Sequence, residues 1–455
     1  MAKSNVIYEY DKIAADDDRK GNRDNDILYI SKKQFDLLEN FILSNQNDGE
    51  NTTEVMRLQS KNGKKYAVAC NYVGVITLAD GTTIEILPKI GKTGKSDDDE
   101  RRVRGLLIKM LRSLRTAPYK INQSANIDVT RLPLFEVFIR MFIDEVYAIV
   151  RRGVRCGYET VSENSRFYKG KMLFNEQIKH NLVHKERFFV AYDEFNANRA
   201  ENKLIKSTLR YLQQRSYSFA NQSDLRALLS VFDEVSPSTD YDGDLRRSCR
   251  ERGTEYYAEA IKWCGVFLAG KSFSMFAGGQ YAKALLFPME KLFESYVARE
   301  LSKALGGEYS VTTQEQSLWL FESPAKFRLR PDIVVRGDGK TFILDTKWKL
   351  LSADSSKNYG ISQGDMYQMY AYHKKYQAKK KAENIAGCFL LYPSIGTHID
   401  IKPFFADNNG VNVNIFFVDL LGNKDSVTQS MTQCMINLRE KLIKLSAAKA
   451  TSATL

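Results

Sequence analysis

Two aspartates and a lysine stand at one end of a stretch that reads as a β-hairpin. The stretch runs Arg330-Pro331-Asp332-Ile333-Val334-Val335-Arg336-Gly337-Asp338-Gly339-Lys340-Thr341-Phe342-Ile343-Leu344-Asp345-Thr346-Lys347. Asp338-Gly339 between two β-rich runs is a type I′ turn signal. Pairing outward from it sets Gly337 opposite Lys340, Val335 opposite Phe342 and Ile333 opposite Leu344. One step further, Asp332 faces Asp345. Opposed residues share a face with Cβ atoms about 5 Å apart, and Lys347, two residues beyond Asp345, points to that face as well. Carboxylates this close repel one another, so Lys347 or a divalent cation must offset their charge. Hard carboxylate oxygens suit Mg²⁺, which keeps several of its waters. In such a site Mg²⁺ would polarise a phosphodiester and acidify an attacking water. Lys347 would position that water or stabilise the developing phosphorane charge. These are the parts needed to hydrolyse a nucleic-acid backbone. The competing reading is a plain salt bridge across a surface hairpin, because Pro-Asp and Asp-x-Lys also arise by chance.

Two flanking helices bear on that choice. Pro288 to Leu305 carries an apolar stripe of Met289, Leu292, Phe293, Tyr296, Val297, Leu301 and Leu305. Glu294 borders this stripe, where an unpaired charge is costly; it is placed to reach the acid pair as a third metal-binding carboxylate. Downstream, Asp365 to Tyr376 reads as a helix begun near Ser362 or Asp365. Gln368 and Tyr372 lie i, i+4 on one face of it, to contact DNA or to support the site, or merely to pack beside a solvated amide.

The elements that must position these residues give a mixed α/β chain. Residues 1–125 read as an N-terminal α/β module. It holds a strand at Ile27 to Ile30, a helix from Lys32 to Leu43 capped by Ser31, a β-meander from Tyr66 to Ile90 turning at Ala79-Asp80-Gly81, and a helix from Arg101 to Leu114. Residues 126–275 read as a mainly helical connector, with a long helix opened by Pro133 and ended by Gly153, and further helices near 198–212, 225–235 and 254–268. The small, glycine-rich run 269–280 marks a boundary. Residues 276–445 read as a second α/β module, and Ser446 to Leu455 as a frayed end.

Bulk properties set outer limits. The chain has 455 residues, 43% of them hydrophobic, enough for two or three domains. A net charge of +12 suits a polyanionic partner without requiring one. The cysteines at 70, 156, 249, 264, 388 and 434 form no CxxC pair, which argues against a zinc ribbon and for buried thiols in a reducing compartment. With a charged start and no apolar h-region, no signal peptide is expected, and no run is apolar enough to span a membrane. A cytoplasmic location is therefore expected.

Two tempting motifs are set aside. Gly91-Lys92-Thr93-Gly94-Lys95-Ser96 resembles a phosphate-binding loop, but its first required glycine falls on Lys89. Asp97, Asp98, Asp99 and Glu100 then crowd the following helix start and would repel phosphate. No nucleotide binding is expected of the chain itself. His180 and His184 are i, i+4, but without an HExxH pattern they read as solvated or packed. The basic run Lys374 to Lys381 would track phosphate or form a solvated helix face.

At the acid–lysine segment the sequence resembles the PD-(D/E)xK nuclease superfamily, and within it the McrC family, the nuclease subunits of McrBC-type restriction systems. The similarity extends to Tyr72-Val73-Gly74-Val75-Ile76 and Glu85-Ile86-Leu87-Pro88-Lys89-Ile90 in the N-terminal module. In the middle it rests on Glu163-Asn164, Tyr168-Lys169-Gly170-Lys171 and Asn198-Arg199-Ala200-Glu201-Asn202-Lys203. Met289 to Glu294 and Asp365 to Tyr370 complete it. The resemblance implies a C-terminal restriction-endonuclease-like domain that cuts double-stranded DNA with Mg²⁺. Glu294, Asp332, Asp345 and Lys347 would be catalytic, the three acids metal-binding, and Gln368 and Tyr372 supporting. It also implies docking, through residues 1 to about 270, on an AAA+ GTPase of the McrB type. That partner forms rings, expected to be hexameric, and its GTP hydrolysis is stimulated. Two alternatives stand beside it: a non-catalytic adaptor of an AAA+ motor, and a stand-alone RecB-like nuclease. The acidic insert 97–100 and the N-terminal extension have no counterpart in the resemblance.

Overall fold

The computed structural model describes residues 5–46, 55–93, 97–114, 132–248, 253–269, 282–307, 309–379, 384–394, 404–406, 410–421 and 427–451. The chain is mixed α/β, as expected. The N-terminal part contains two sheets. A five-stranded sheet takes Arg23–Asp24, Ile27–Ile30, Lys12–Ala15, Lys64–Ala69 and Met56–Lys61 in that spatial order, and Lys32–Gln46 packs on it as a helix. Ser31 and Gln34 form a reciprocal cap at the helix start, each side chain accepting from the other's backbone amide. A four-stranded sheet takes Asn5–Tyr8, Thr83–Leu87, Tyr72–Leu78 and Ala282–Pro288.

Two expectations change here. The stretch 66–90 is not one meander: Lys64–Ala69 belongs to the five-stranded sheet, whereas Tyr72–Leu78 and Thr83–Leu87 belong to the other. A tight turn at Cys70-Asn71, closed by Tyr72 N donating to Cys70 O at 2.8 Å, redirects the chain between them. Second, Ala282–Pro288, read as part of the C-terminal module, completes the N-terminal sheet by pairing with Tyr72–Leu78. Gly74 makes that pairing possible. Its φ is +138°, and a Cβ there would meet the carbonyl oxygen of Leu285 at 2.0 Å.

The middle of the chain is less helical than expected. Gly157–Ser165 and Phe188–Asn196 form a long antiparallel pair, joined at one end by Lys171–Met172. One face of the first strand is exposed and the other only half-buried, and the half-buried positions are Gly157, Glu159, Val161, Glu163 and Ser165, so no apolar alternation announces it. The helices Leu134–Arg152, Ala200–Gln213, Phe219–Val231, Tyr241–Arg247 and Ala258–Ala269 surround a buried group that includes Phe138, Phe142, Leu204, Phe232 and Trp263. Pro133 precedes the first of these helices and Gly153, at φ +98°, ends it.

The C-terminal part is a six-stranded mixed sheet ordered Ser310–Thr313, Ile333–Gly337, Lys340–Thr346, Asn384–Ser394, Asn412–Asp419 and Phe404–Ala406. One face, with Ile333, Val335, Phe342 and Leu344, packs on helices Met289–Leu305 and Val427–Thr451. The other, with Val334, Ile343 and Leu390, packs on helix Gln363–Lys379. The last helix runs through Thr451 rather than fraying after residue 445. Of the phosphate-loop-like run, 94–96 lies outside the described residues, as do 380 and 381 of the basic run.

Candidate active site

The hairpin has the register counted from its turn: Gly337 pairs with Lys340, Val335 with Phe342 and Ile333 with Leu344. Asp338 and Gly339 both have positive φ, +52° and +66°, as a type I′ turn requires. Tyr309 donates its hydroxyl to Asp338 Oδ2 at 2.6 Å, which fixes the turn. Regular pairing stops at Ile333, so Asp332 leaves the ladder and reaches across to the other strand. Its Oδ2 accepts from the backbone amide of Thr346 at 2.8 Å and from that residue's hydroxyl at 2.7 Å.

Asp345 is 1% exposed and shares the sheet face of Ile343, toward helix Gln363–Lys379. Lys347 lies on the same side, with Nζ 2.6 Å from Asp345 Oδ2 and 3.5 Å from Asp365 Oδ1. The ammonium also donates to Gln368 Oε1 at 3.1 Å. Gln368 in turn donates through Nε2 to the hydroxyl of Tyr372 at 2.7 Å and, at 3.5 Å, to Asp345 Oδ1. The i, i+4 pair is therefore a support for Lys347: Tyr372 orients the amide, and the amide orients the ammonium. Glu294 arrives from the opposite face on helix Met289–Leu305, whose end is set by Gly306 at φ +59°. Gln314 joins it to the cluster, donating through one amide nitrogen to Glu294 Oε1 and to Asp332 Oδ1.

All six residues singled out from sequence thus converge at one end of the sheet, where helices from its two faces meet. Sequence reasoning missed Gln314, Thr346 and Asp365 as members. Thr346 and Asp365 lay within quoted motifs, so their neighbourhood was legible. Gln314 follows an edge strand, in a left-handed conformation (φ +52°), and no spacing rule points to it.

The electrostatics of the cluster are unbalanced. Burial, then the charge of Asp332, pushes Glu294 up to about 7. Burial, then the same neighbour, pushes Asp345 up to about 7 despite Lys347. Burial also raises Asp332 against the hydrogen bonds from Thr346. Lys347 is raised as well: burial alone would lower it, but Asp345, Asp365 and Asp332 together outweigh burial, and it stays protonated. Among the described residues no three His, Cys, Asp or Glu side chains are close enough to hold an ion as they stand. The donor set nevertheless fits a hard divalent cation. Three carboxylates, Asp345 buried and Glu294 and Asp332 half-buried, supply oxygen only, and burial together with mutual repulsion pushes two of them up to about 7.

Carboxyls whose folded pKa exceeds the unfolded value hold more protons in the native state. Between about 4 and about 7 this makes stability fall as pH rises through the window. In chelator, Glu294→Gln should become progressively more stable than the parent as pH rises from 5 to 8. Thermal unfolding across that range checks it, and a pH-independent difference would refute it.

A second layer ties this site to the N-terminal sheets. Trp348, next to Lys347, donates its indole N–H to Glu9, 3.0 Å from each carboxylate oxygen. Glu9 also accepts from the backbone amide of Lys89 at 2.9 Å, and Lys89 Nζ donates to the Trp348 carbonyl at 2.9 Å. The Trp348 ring packs against Phe293, adjacent to Glu294, with centroids 5.4 Å apart. Lys89 of the Glu85 to Ile90 motif is therefore a brace for the strand that carries Asp345 and Lys347.

The family described as McrBC 5-methylcytosine restriction system component matches residues 67–393. Among solved structures, the chain is similar to one in the half-complex refined from the tetradecameric assembly of Thermococcus gammatolerans McrB AAA+ hexamers with bound McrC. The TM-score is 0.62 at 20% identity, covering 96% of this chain and 100% of that one. A chain of the cryo-EM structure of the Thermococcus gammatolerans McrBC complex matches with a TM-score of 0.45 at 22% identity, covering 67% of this chain and 88% of the other. At these identities the likeness concerns the fold. No curated protein matches. With the family match extending over most of its length, the chain belongs to the McrBC 5-methylcytosine restriction system component family.

Proposed function

We propose that this chain is the nuclease subunit of a McrBC-type restriction complex and hydrolyses phosphodiesters in double-stranded DNA. The observation that carries the reading is the convergence of Glu294, Asp332, Asp345 and Lys347, from three separate stretches of chain, in one desolvated cluster. Glu294, Asp332 and Asp345 would hold Mg²⁺, which when bound supplies a Lewis acid for the scissile phosphate and its attacking water. Thr346 and Gln314 fix the two oxygens of Asp332, so that acid needs little reorganisation to serve. Lys347 presents a protonated Nζ beside Asp345, placed to hold a water or to meet the negative charge that develops on phosphorus. Gln368 and Tyr372 keep that ammonium aimed.

The partner would be an AAA+ GTPase of the McrB type. The similar structure holds McrB AAA+ hexamers with bound McrC, and that relation is proposed for this chain. The middle of the chain supports it physically. Tyr158, Phe167, Phe174, Leu182, Val183 and Phe195 are each more than 60% exposed around the long strand pair, an apolar surface that a monomer has no reason to keep. An adaptor role alone leaves the intact acid–lysine cluster without a purpose. A stand-alone RecB-like nuclease leaves the family match across the N-terminal and middle parts unexplained. No described helix is long and apolar enough to cross a membrane.

The test is reconstitution with the AAA+ GTPase encoded alongside, on methylated and unmethylated duplexes. Cleavage should require this chain, the partner, GTP and Mg²⁺. Undiminished cleavage in excess chelator, or failure to recover any such partner, would defeat the reading.

A further inference from the structure

Between Gln314 and Asp332, both members of the acid cluster, the chain leaves the six-stranded sheet and forms a separate two-stranded hairpin. Its strands are Trp319–Glu322 and Ala325–Arg328. The root is firmly seated. Leu318 and Leu329, joined by a backbone bond of 2.9 Å, are buried with Met369 and Tyr372 of the helix that supports Lys347. Among the described residues its outer part is left open: Phe321 is 57% exposed and Phe327 69%.

The register gives this exposed hairpin a pattern. Trp319 pairs with Arg328 and Phe321 with Lys326. Opposed residues share a face, so one face sets two aromatic rings on one strand against two cations on the other. Arg328 already lies over the Trp319 ring, 4.4 Å from its centroid, and donates to Gln316 Oε1 at 3.1 Å. Phe327 has left-handed backbone (φ +58°), and its ring meets that of Phe321 edge-on at 6.0 Å. From 319 to 330 the only acid is Glu322, against Lys326, Arg328 and Arg330. Aromatic platforms interleaved with cations fit a nucleic-acid strand, whose bases stack and whose phosphates pair. They do not fit an apolar protein groove, which would leave the cations unpaired.

We infer that the hairpin 319–328 is a nucleic-acid clasp. It grips the DNA strand beside the scissile phosphate, Phe321 and Phe327 stacking on an exposed base and Lys326 and Arg328 meeting the flanking phosphates. The inference rests on the nuclease reading: the hairpin is rooted between two residues of the acid cluster, Gln314 and Asp332, beside the place where a cut strand would lie.

Two variants of the full chain, with its motor present and Ca²⁺ replacing Mg²⁺, separate the contributions. A duplex with 2-aminopurine near the cut reports both binding and unstacking. Lys326→Ala with Arg328→Ala should weaken binding and flatten the dependence of log K on log salt by about 1–2. Phe321→Ala with Phe327→Ala should weaken binding about tenfold or more without changing that slope, and should abolish the 2-aminopurine signal. Wild-type affinity and slope in both variants would overturn the clasp. So would unchanged DNA binding with lost recovery of the AAA+ partner, which would assign the face to a protein contact. If the parent complex neither binds nor cuts DNA, it is the nuclease reading that fails.

Discussion

Asp345→Asn should lower DNA cleavage by about 10³-fold or more while making the metal-free protein more stable. The loss of activity follows from geometry. Asp345 is the partner that holds Lys347 at 2.6 Å and one of three carboxylates available to a cation. Removing a single preorganised charge from such a site costs about 10²–10³ in rate, and here one change removes a ligand and a tether together. The gain in stability follows from the carboxyl's displacement to about 7. At pH 8 the folded protein must keep this buried group ionised next to Asp332, whereas the unfolded chain ionises it freely. The asparagine carries the shape of the protonated form and escapes that penalty. The melting temperature in chelator should therefore rise above the parent's at pH 8, by less at pH 5, and converge with it near pH 4. Mg²⁺ should stabilise the parent and leave the variant nearly unchanged, because only the parent keeps the full ligand set. Stimulation of the motor's GTP hydrolysis should survive. A variant that cuts at the parental rate, or that is less stable at pH 8 in chelator, would contradict the assignment of Asp345.

The parts of the site that could be read from sequence were those governed by local rules. The Asp338-Gly339 turn fixes the hairpin register, and that register sets which side chains share a face. Helical periodicity brought Glu294 to the edge of a buried stripe and put Gln368 and Tyr372 on one face. What could not be read depended on chain segments far apart. Ala282–Pro288 joins strands some 200 residues earlier, and a short apolar strand carries no mark of the sheet it will enter. Gln314 is an isolated glutamine until the fold sets it between Glu294 and Asp332. The split of the 66–90 stretch between two sheets depends on one tight turn at Cys70-Asn71, where no glycine or proline signals the break. The middle strand pair escaped for the opposite reason: the half-buried face of Gly157–Ser165 is itself mostly polar, so it lacks the apolar alternation that makes a strand visible.

Glu9→Ala should reduce cleavage by about 10–10² even though residue 9 lies more than 320 positions from the acid–lysine segment. Glu9 is fully buried and accepts the indole N–H of Trp348 and the backbone amide of Lys89. Deleting the carboxylate leaves both donors buried without that acceptor, at about 1–3 kcal/mol each. The relief available to the protein is to let Trp348 move, and Trp348 is bonded directly to Lys347 in the chain. A displacement of about 1 Å at a catalytic group is enough for a 10²-fold loss. Trp348→Phe separates positioning from mere destabilisation. Phenylalanine can keep the ring contact with Phe293 but has no N–H for Glu9. Its melting temperature should fall less than that of Glu9→Ala, while its cleavage rate should fall by a comparable factor. The affinity for Mg²⁺, measured by calorimetry, should change little in either variant, because the three carboxylates remain. A parental cleavage rate in Trp348→Phe would reduce the Glu9–Trp348 contact to packing. The expected loss would make the N-terminal sheets part of the catalytic apparatus: whatever docks on them would pull on the strand that carries Asp345 and Lys347.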